Sequence, residues 1–211
     1  MTTCVAVLTG DLIGSTEGGT DRIEQSMKVL RKAAARITEK TNSATRFTRY
    51  RGDGWQIYLE HPGDFLWAAV FLTAVLRANP QCLPTRIGIG LGTAAGLDAT
   101  DLSSASGTAF INSGRALDAM MIGATLDLKA DTTDDIQRAA IHFIDDLMSG
   151  WTQEQAEAVG LVLTPGTIWT QARMADELGI SRQAVGARLK AARFARINAT
   201  KDAFYRHFVK R

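Results

Sequence analysis

Short apolar, β-branched runs alternate along the chain with longer stretches in which apolar residues return every three or four positions. Residues 3–8 are a compact apolar run that stops at Gly10-Asp11, the pattern of a buried strand. Over residues 21–40 the apolar positions are Ile23, Met27, Leu30, Ala34 and Ile37, a helical period with a charged opposite side. Residues 46–50 and 55–59 predict two strands around a tight Gly52-Asp53-Gly54 turn. His61-Pro62 breaks the chain, helix returns over 64–77, and residues 86–91 give a further strand. Gly88, Gly90 and Gly92 share one face of that strand, which predicts close approach by something bulky. A polar loop over 97–106 precedes a helix over 107–121, a short strand over 125–129 and an amphipathic helix over 132–148. The order β-α-β-β-α-β-α-β-α predicts an α+β fold, a ferredoxin-like sandwich with helices packed on a sheet face.

Beyond Trp151 the pattern changes to short helices. Thr152 caps one over 153–163, which Pro165-Gly166 stops. Thr170 begins a second that ends near Leu178, Gly179 supplies a turn, and Ser181 caps a third that runs to about Ala195. The division falls near Ser149-Gly150, giving units 1–149 and 150–211 with little linker between them. Charge divides at the same place. Residues 1–150 carry 14 Lys/Arg against 17 Asp/Glu, whereas residues 151–211 carry 10 against 5. A basic tail on a neutral-to-acidic body points to a polyanionic partner for the tail.

The 211 residues are 45% apolar and 22% charged, a globular balance that excludes wholesale disorder and fibrous classes. No apolar stretch approaches the roughly 20 residues of a bilayer span, and the longest block, 65–76, is interrupted by Thr73. The start of the chain lacks a basic segment followed by a long apolar run, so the expectation is a cytoplasmic protein without a membrane partner. Cys4 and Cys82 are too few to staple a fold of this size and are expected to be reduced and buried. His61, His142 and His207 are scattered and form no ligand set.

Residues 171–190 fit helix-turn-helix geometry. Ala175 is small where two helices cross, and Met174, Leu178, Ile180, Val185 and Leu189 make a small core. Arg182, Gln183, Gly186, Arg188, Lys190 and Arg193 then fall off the core side of the third helix. Arginine and glutamine read guanine and adenine edges in the major groove, and Arg182 and Gln183 in the first turn are the base-reading candidates. Arg188 and Lys190 belong to the same DNA-facing set, Arg193 further along suits a phosphate, and Ser181 donates to a phosphate at the helix start. Thr170 and Gln171, at the start of the preceding helix, complete the DNA-facing set. The segment resembles winged helix-turn-helix domains of bacterial regulators and the last region of sigma-type factors. Residues 197–208 supply either a wing or a closing helix.

Two body segments carry chemistry, the strand end at Gly10-Asp11-Leu12-Ile13-Gly14-Ser15-Thr16 and the hairpin tip at Arg49-Tyr50-Arg51-Gly52-Asp53-Gly54. If their strands are neighbours, Asp11 and Asp53 meet at one sheet edge, where two carboxylates and phosphate oxygens hold a divalent metal. Backbone amides of Leu12, Ile13, Gly14, Ser15 and Thr16 would face the phosphates. Asp53 is equally a common turn residue and Asp11 a common helix cap.

These two motifs, with residues 86–92 and 107–115, resemble the class III nucleotidyl cyclase domain, in the family's order and over most of residues 1–130. With the tail, the chain resembles the SatD-like bacterial proteins. The resemblance implies a cyclase-like sandwich, a homodimer, and a nucleotide held by Leu12, Ile13, Gly14, Ser15, Thr16, Arg49, Gly52 and Arg115. It implies Mg or Mn on Asp11 and Asp53, with Arg115 steadying a triphosphate from the second subunit. Two positions depart from the family pattern: Ile111 stands where the family has asparagine, with Asn112 one step out of register, and Arg49 replaces a lysine. Isoleucine cannot orient a transition-state oxygen, so nucleotide binding is expected to survive better than turnover. The expected function is a DNA-binding transcription regulator that senses a nucleotide, with helix 132–148 as the lever; the alternative is an active nucleotidyl cyclase.

Overall fold

A computed structural model describes residues 4–43, 45–50, 52–97, 101–131 and 135–209. The elements in chain order are β1 (Val5–Leu12), α1 (Ser15–Thr41), β2 (Arg46–Tyr50), β3 (Gly54–Leu59), α2 (Phe65–Arg77), β4 (Thr85–Gly92), α3 (Thr108–Asp118), β5 (Leu126–Lys129) and α4 (Asp135–Ser149). The sheet runs β2-β3-β1-β4-β5, with β5 parallel to β4 and the other neighbours antiparallel. Strands β1 to β4 with α1 and α2 are therefore a split βαβ pair, the ferredoxin-like arrangement, extended by β5 at one edge.

Alternation along the strands builds two cores. Ala6, Leu8, Trp55, Ile57, Ile87 and Ile89 pack with Met27, Leu30 and Ile37 of α1 and with α2. On the opposite side Val5, Val7 and Tyr58 join Ala109 of α3 and Leu102. The bulky neighbour predicted for the glycine strand is α3 itself: a Cβ on Gly90 would stand 2.0 Å from the Ala109 carbonyl oxygen, and one on Gly88 2.3 Å from that of Ser113.

The C-terminal segment is α5 (Gln153–Leu163), α6 (Gln171–Leu178), α7 (Arg182–Ala191) and α8 (Phe194–Val209). α5 packs on α2, and Ala156, Val159, Leu163, Ala192, Ile197 and Phe204 belong to the same apolar cluster as the sheet. At the junction the Arg77 guanidinium donates to the carbonyls of Met148, Ser149 and Trp151 at 2.7, 2.6 and 3.2 Å, closing the open end of α4.

Three local expectations change. α1 begins at Ser15 rather than at residue 21, with Gly19 (φ 76°) breaking its first turn from the rest. The third tail helix ends at Ala191 instead of continuing to 195, because the Trp151 indole takes the Ala192 carbonyl (2.9 Å) and Arg193 turns left-handed (φ 56°). The chain then forms a closing helix, α8, and not a wing. Cys82 is buried as expected, whereas Cys4 is exposed, standing just outside the first sheet residue. The predicted element starts at residues 3 and 132 lie outside the described residues.

Candidate functional site

Asp11 lies near the end of β1, opposite Gly54 on β3 and Arg86 on β4. The Leu12 amide donates to the Asp53 carbonyl at 3.2 Å, so the strand end and the hairpin tip are tied together at one sheet end. Their carboxylates are already engaged. Arg86 Nε donates to Asp11 Oδ1 at 3.0 Å and its Nη2 to Oδ2, a two-pronged pair that raises the guanidinium pKa further. Asp53 Oδ2 accepts the Ser15 hydroxyl at 2.5 Å. A depression of about 220 Å³ between the hairpin tip and the start of α1 is lined by Ser15, Thr16, Glu24, Arg49, Gly52 and Asp53, among others. Arg49 is braced at its rim, donating from Nε to the Gly52 carbonyl (2.6 Å) and pairing with Glu24 (2.8 Å).

The five-amide cradle is smaller than predicted. The Leu12 amide serves Asp53 and that of Ile13 serves the Pro84 carbonyl (2.8 Å), because the chain is still finishing its strand there. The amides of Gly14, Ser15 and Thr16 have no backbone acceptor among the described residues, with Gly14 left-handed (φ 72°) at the helix start. Both Asp11 oxygens hold Arg86, and Asp53 Oδ2 holds Ser15. As arranged, Arg86 stands on both Asp11 oxygens that Mg or Mn would use.

Arg115 stands on α3, exposed, in a different depression of about 220 Å³ that Lys129, Arg138 and Asp127 also line. It does not line the Asp53 cleft. Ile111 is 51% exposed, while Asn112 turns inward and donates to the Leu91 carbonyl at 3.0 Å. Sequence reasoning passed over Asp127. It is buried on β5 and accepts from Arg138 Nε (2.9 Å), the Leu128 amide (2.8 Å) and His142 (3.1 Å). A charged residue between two leucines of a strand was the available signal.

In the tail, Thr170 and Ser181 cap α6 and α7 by accepting the amides of Arg173 (3.2 Å) and Ala184 (3.1 Å), and Gly179 is the left-handed turn (φ 64°). Ala158 of α5, Met174, Ala175 and Val185 form their buried centre, with Leu178, Ile180 and Leu189 against it. Gln171, Arg182, Gln183, Lys190 and Arg193 are exposed. Arg188 is not free, because it is half-buried and pairs with Glu157 of α5 at 2.9 Å.

No family model and no curated protein matches the chain. Among solved structures it is similar to the guanylyl cyclase Cya2 over 61% of this chain and 77% of that one, at 16% identity and a TM-score of 0.38.

Proposed function

We propose that the chain is a DNA-binding transcription regulator whose body senses a nucleotide and whose working form is a homodimer. The observation that carries this reading is the capped α6–Gly179–α7 unit, which leaves Arg182, Gln183 and Lys190 in solvent on a basic segment. Arg182 and Gln183 occupy the first turn of the helix, the part that meets base edges when such a unit enters the major groove. Ser181 keeps its hydroxyl proton for a phosphate while its oxygen caps the helix.

The cleft beside Arg49 supports a phosphorylated ligand, since Ser15 and Thr16, whose amides have no backbone acceptor among the described residues, line it at the start of α1. Turnover is disfavoured. Asn112 is spent on a backbone carbonyl, Ile111 stands in its place outside, and Asp11 is held by Arg86. For the dimer, α4 offers an apolar face to a second copy: Ile136 and Phe143, two helical turns apart, are 80% and 73% exposed. A nucleotide that favours one placement of the subunits then sets the spacing of the two α7 helices.

The test is binding to the DNA upstream of the chain's own gene. Affinity is expected to fall steeply with salt, and Arg182→Ala to cost about 1–3 kcal/mol with relaxed sequence preference. Equal affinity for random DNA, or a monomer in sedimentation with DNA and nucleotide present, removes the reading. So does formation of pyrophosphate and cyclic product from a nucleoside triphosphate with Mn, abolished by Asp53→Ala.

A further inference from the structure

The pair between Asp11 and Arg86 is a feature of the sheet rather than of one rotamer. The two residues are direct partners in the β1–β4 register. The strand end beneath them is fixed as well: Thr85 Oγ1 donates to the Asp11 carbonyl at 2.7 Å and accepts the Trp55 indole at 3.0 Å. Arg86 meets both carboxylate oxygens, and Asp118 of α3 adds attraction from a further side. A guanidinium forked onto a carboxylate satisfies the lone pairs that a metal would use. A dication arriving there must break both bonds and then face an arginine whose charge is permanent.

We propose that Arg86 takes the place of a divalent cation on Asp11 and closes the Asp11–Asp53 pair to metal. It rests on the nucleotide reading only for its consequence: a phosphorylated ligand in the cleft is met by the protein's own cation, Arg49, with no ion between. The residue that decides this is a cross-strand arginine, and its removal creates a metal site instead of abolishing one.

Mn titration of the full-length protein, followed by the loss of the free-ion electron paramagnetic signal, tests the proposal without any nucleotide. Wild type and Asp11→Asn are expected to take up Mn identically, through weak surface sites. Arg86→Gln is expected to bind one equivalent at least tenfold more tightly than wild type, and Arg86→Gln/Asp11→Asn to lose that site. Arg86→Met serves in the same comparison should Arg86→Gln not fold. Tight Mn binding by wild type that Asp11→Asn abolishes overturns the proposal, and so does an Arg86 variant that folds and gains no site. A second arm measures melting temperature with ATP or GTP in EDTA and in Mn. Equal shifts support the metal-free ligand, and a shift that requires Mn overturns it. If neither nucleotide shifts the melting temperature while the titration behaves as expected, the nucleotide reading fails and the role of Arg86 stands.

Discussion

Asp127 has only 2% of its side chain exposed, yet it is held charged. Burial alone would push its carboxyl up; the hydrogen bonds from Arg138, the Leu128 amide and His142, with the charge of Arg138, outweigh that and lower it below the usual 3.8. A carboxylate with a depressed native pKa contributes stability that is fully present above its unfolded value and lost as pH falls through the native one. Asp127→Asn should therefore cost about 3 kcal/mol at pH 7, the low end for breaking a buried pair because Arg138 keeps some solvent. The gap between variant and wild type should close as pH drops below about 4. Urea midpoints measured at pH 7 and pH 3 check this, and an undiminished gap at pH 3 would mean that packing, not charge, explains the loss.

The seating of α3 on the sheet depends on the absence of side chains along one strip of β4. A Cβ on Gly90 meets backbone at 2.0 Å from the Ala109 oxygen and 2.2 Å from the Ser113 nitrogen, atoms that cannot swing aside. Gly90→Ala should cost about 3 kcal/mol. Gly114, on the same helix with open space around it, gives the control, since Gly114→Ala should gain about 0.5–1 kcal/mol. Denaturant midpoints of the two variants that moved the same way would refute the steric account. This seam was legible in the sequence because Gly88, Gly90 and Gly92 sit at period two. The α6–α7 unit was legible for a similar reason, its caps and turn lying within a few residues of one another. Contacts across the fold were not. Arg86 meets Asp11 75 positions away through strand register, and Arg188 meets Glu157 31 positions away through helix docking. Asn112 turns inward because α3 sits so close to β4 that its amide reaches the Leu91 carbonyl.

α2 carries apolar residues all round, from Phe65 and Leu66 through Val70 to Leu76, and nearly all of them are buried. A helix of that kind needs cover on both sides. The sheet and α1 supply one side; α5 and α8 supply the other, with Gly160 lying over Ala74 and Val75 and Phe204 edge-on to Phe65 at 5.3 Å. The C-terminal segment is thus seated on the body through α5 and α8, which share the body's core, while α6 and α7 pack on α5 around their own small centre, and Arg77 clamps the three carbonyls at the crossing. Heat should unfold residues 1–149 and 150–211 together, in one transition whose calorimetric and van't Hoff enthalpies agree. Arg77→Ala should lower stability by about 1.5–3 kcal/mol, the worth of hydrogen bonds from a charged donor. Packing continues from α1 through α2 and α5 to α7, so loosening the crossing should weaken the proposed coupling between nucleotide and DNA. Two separate transitions in the wild-type scan would show that the two segments are not one cooperative unit, and the route through α2 would then be lost.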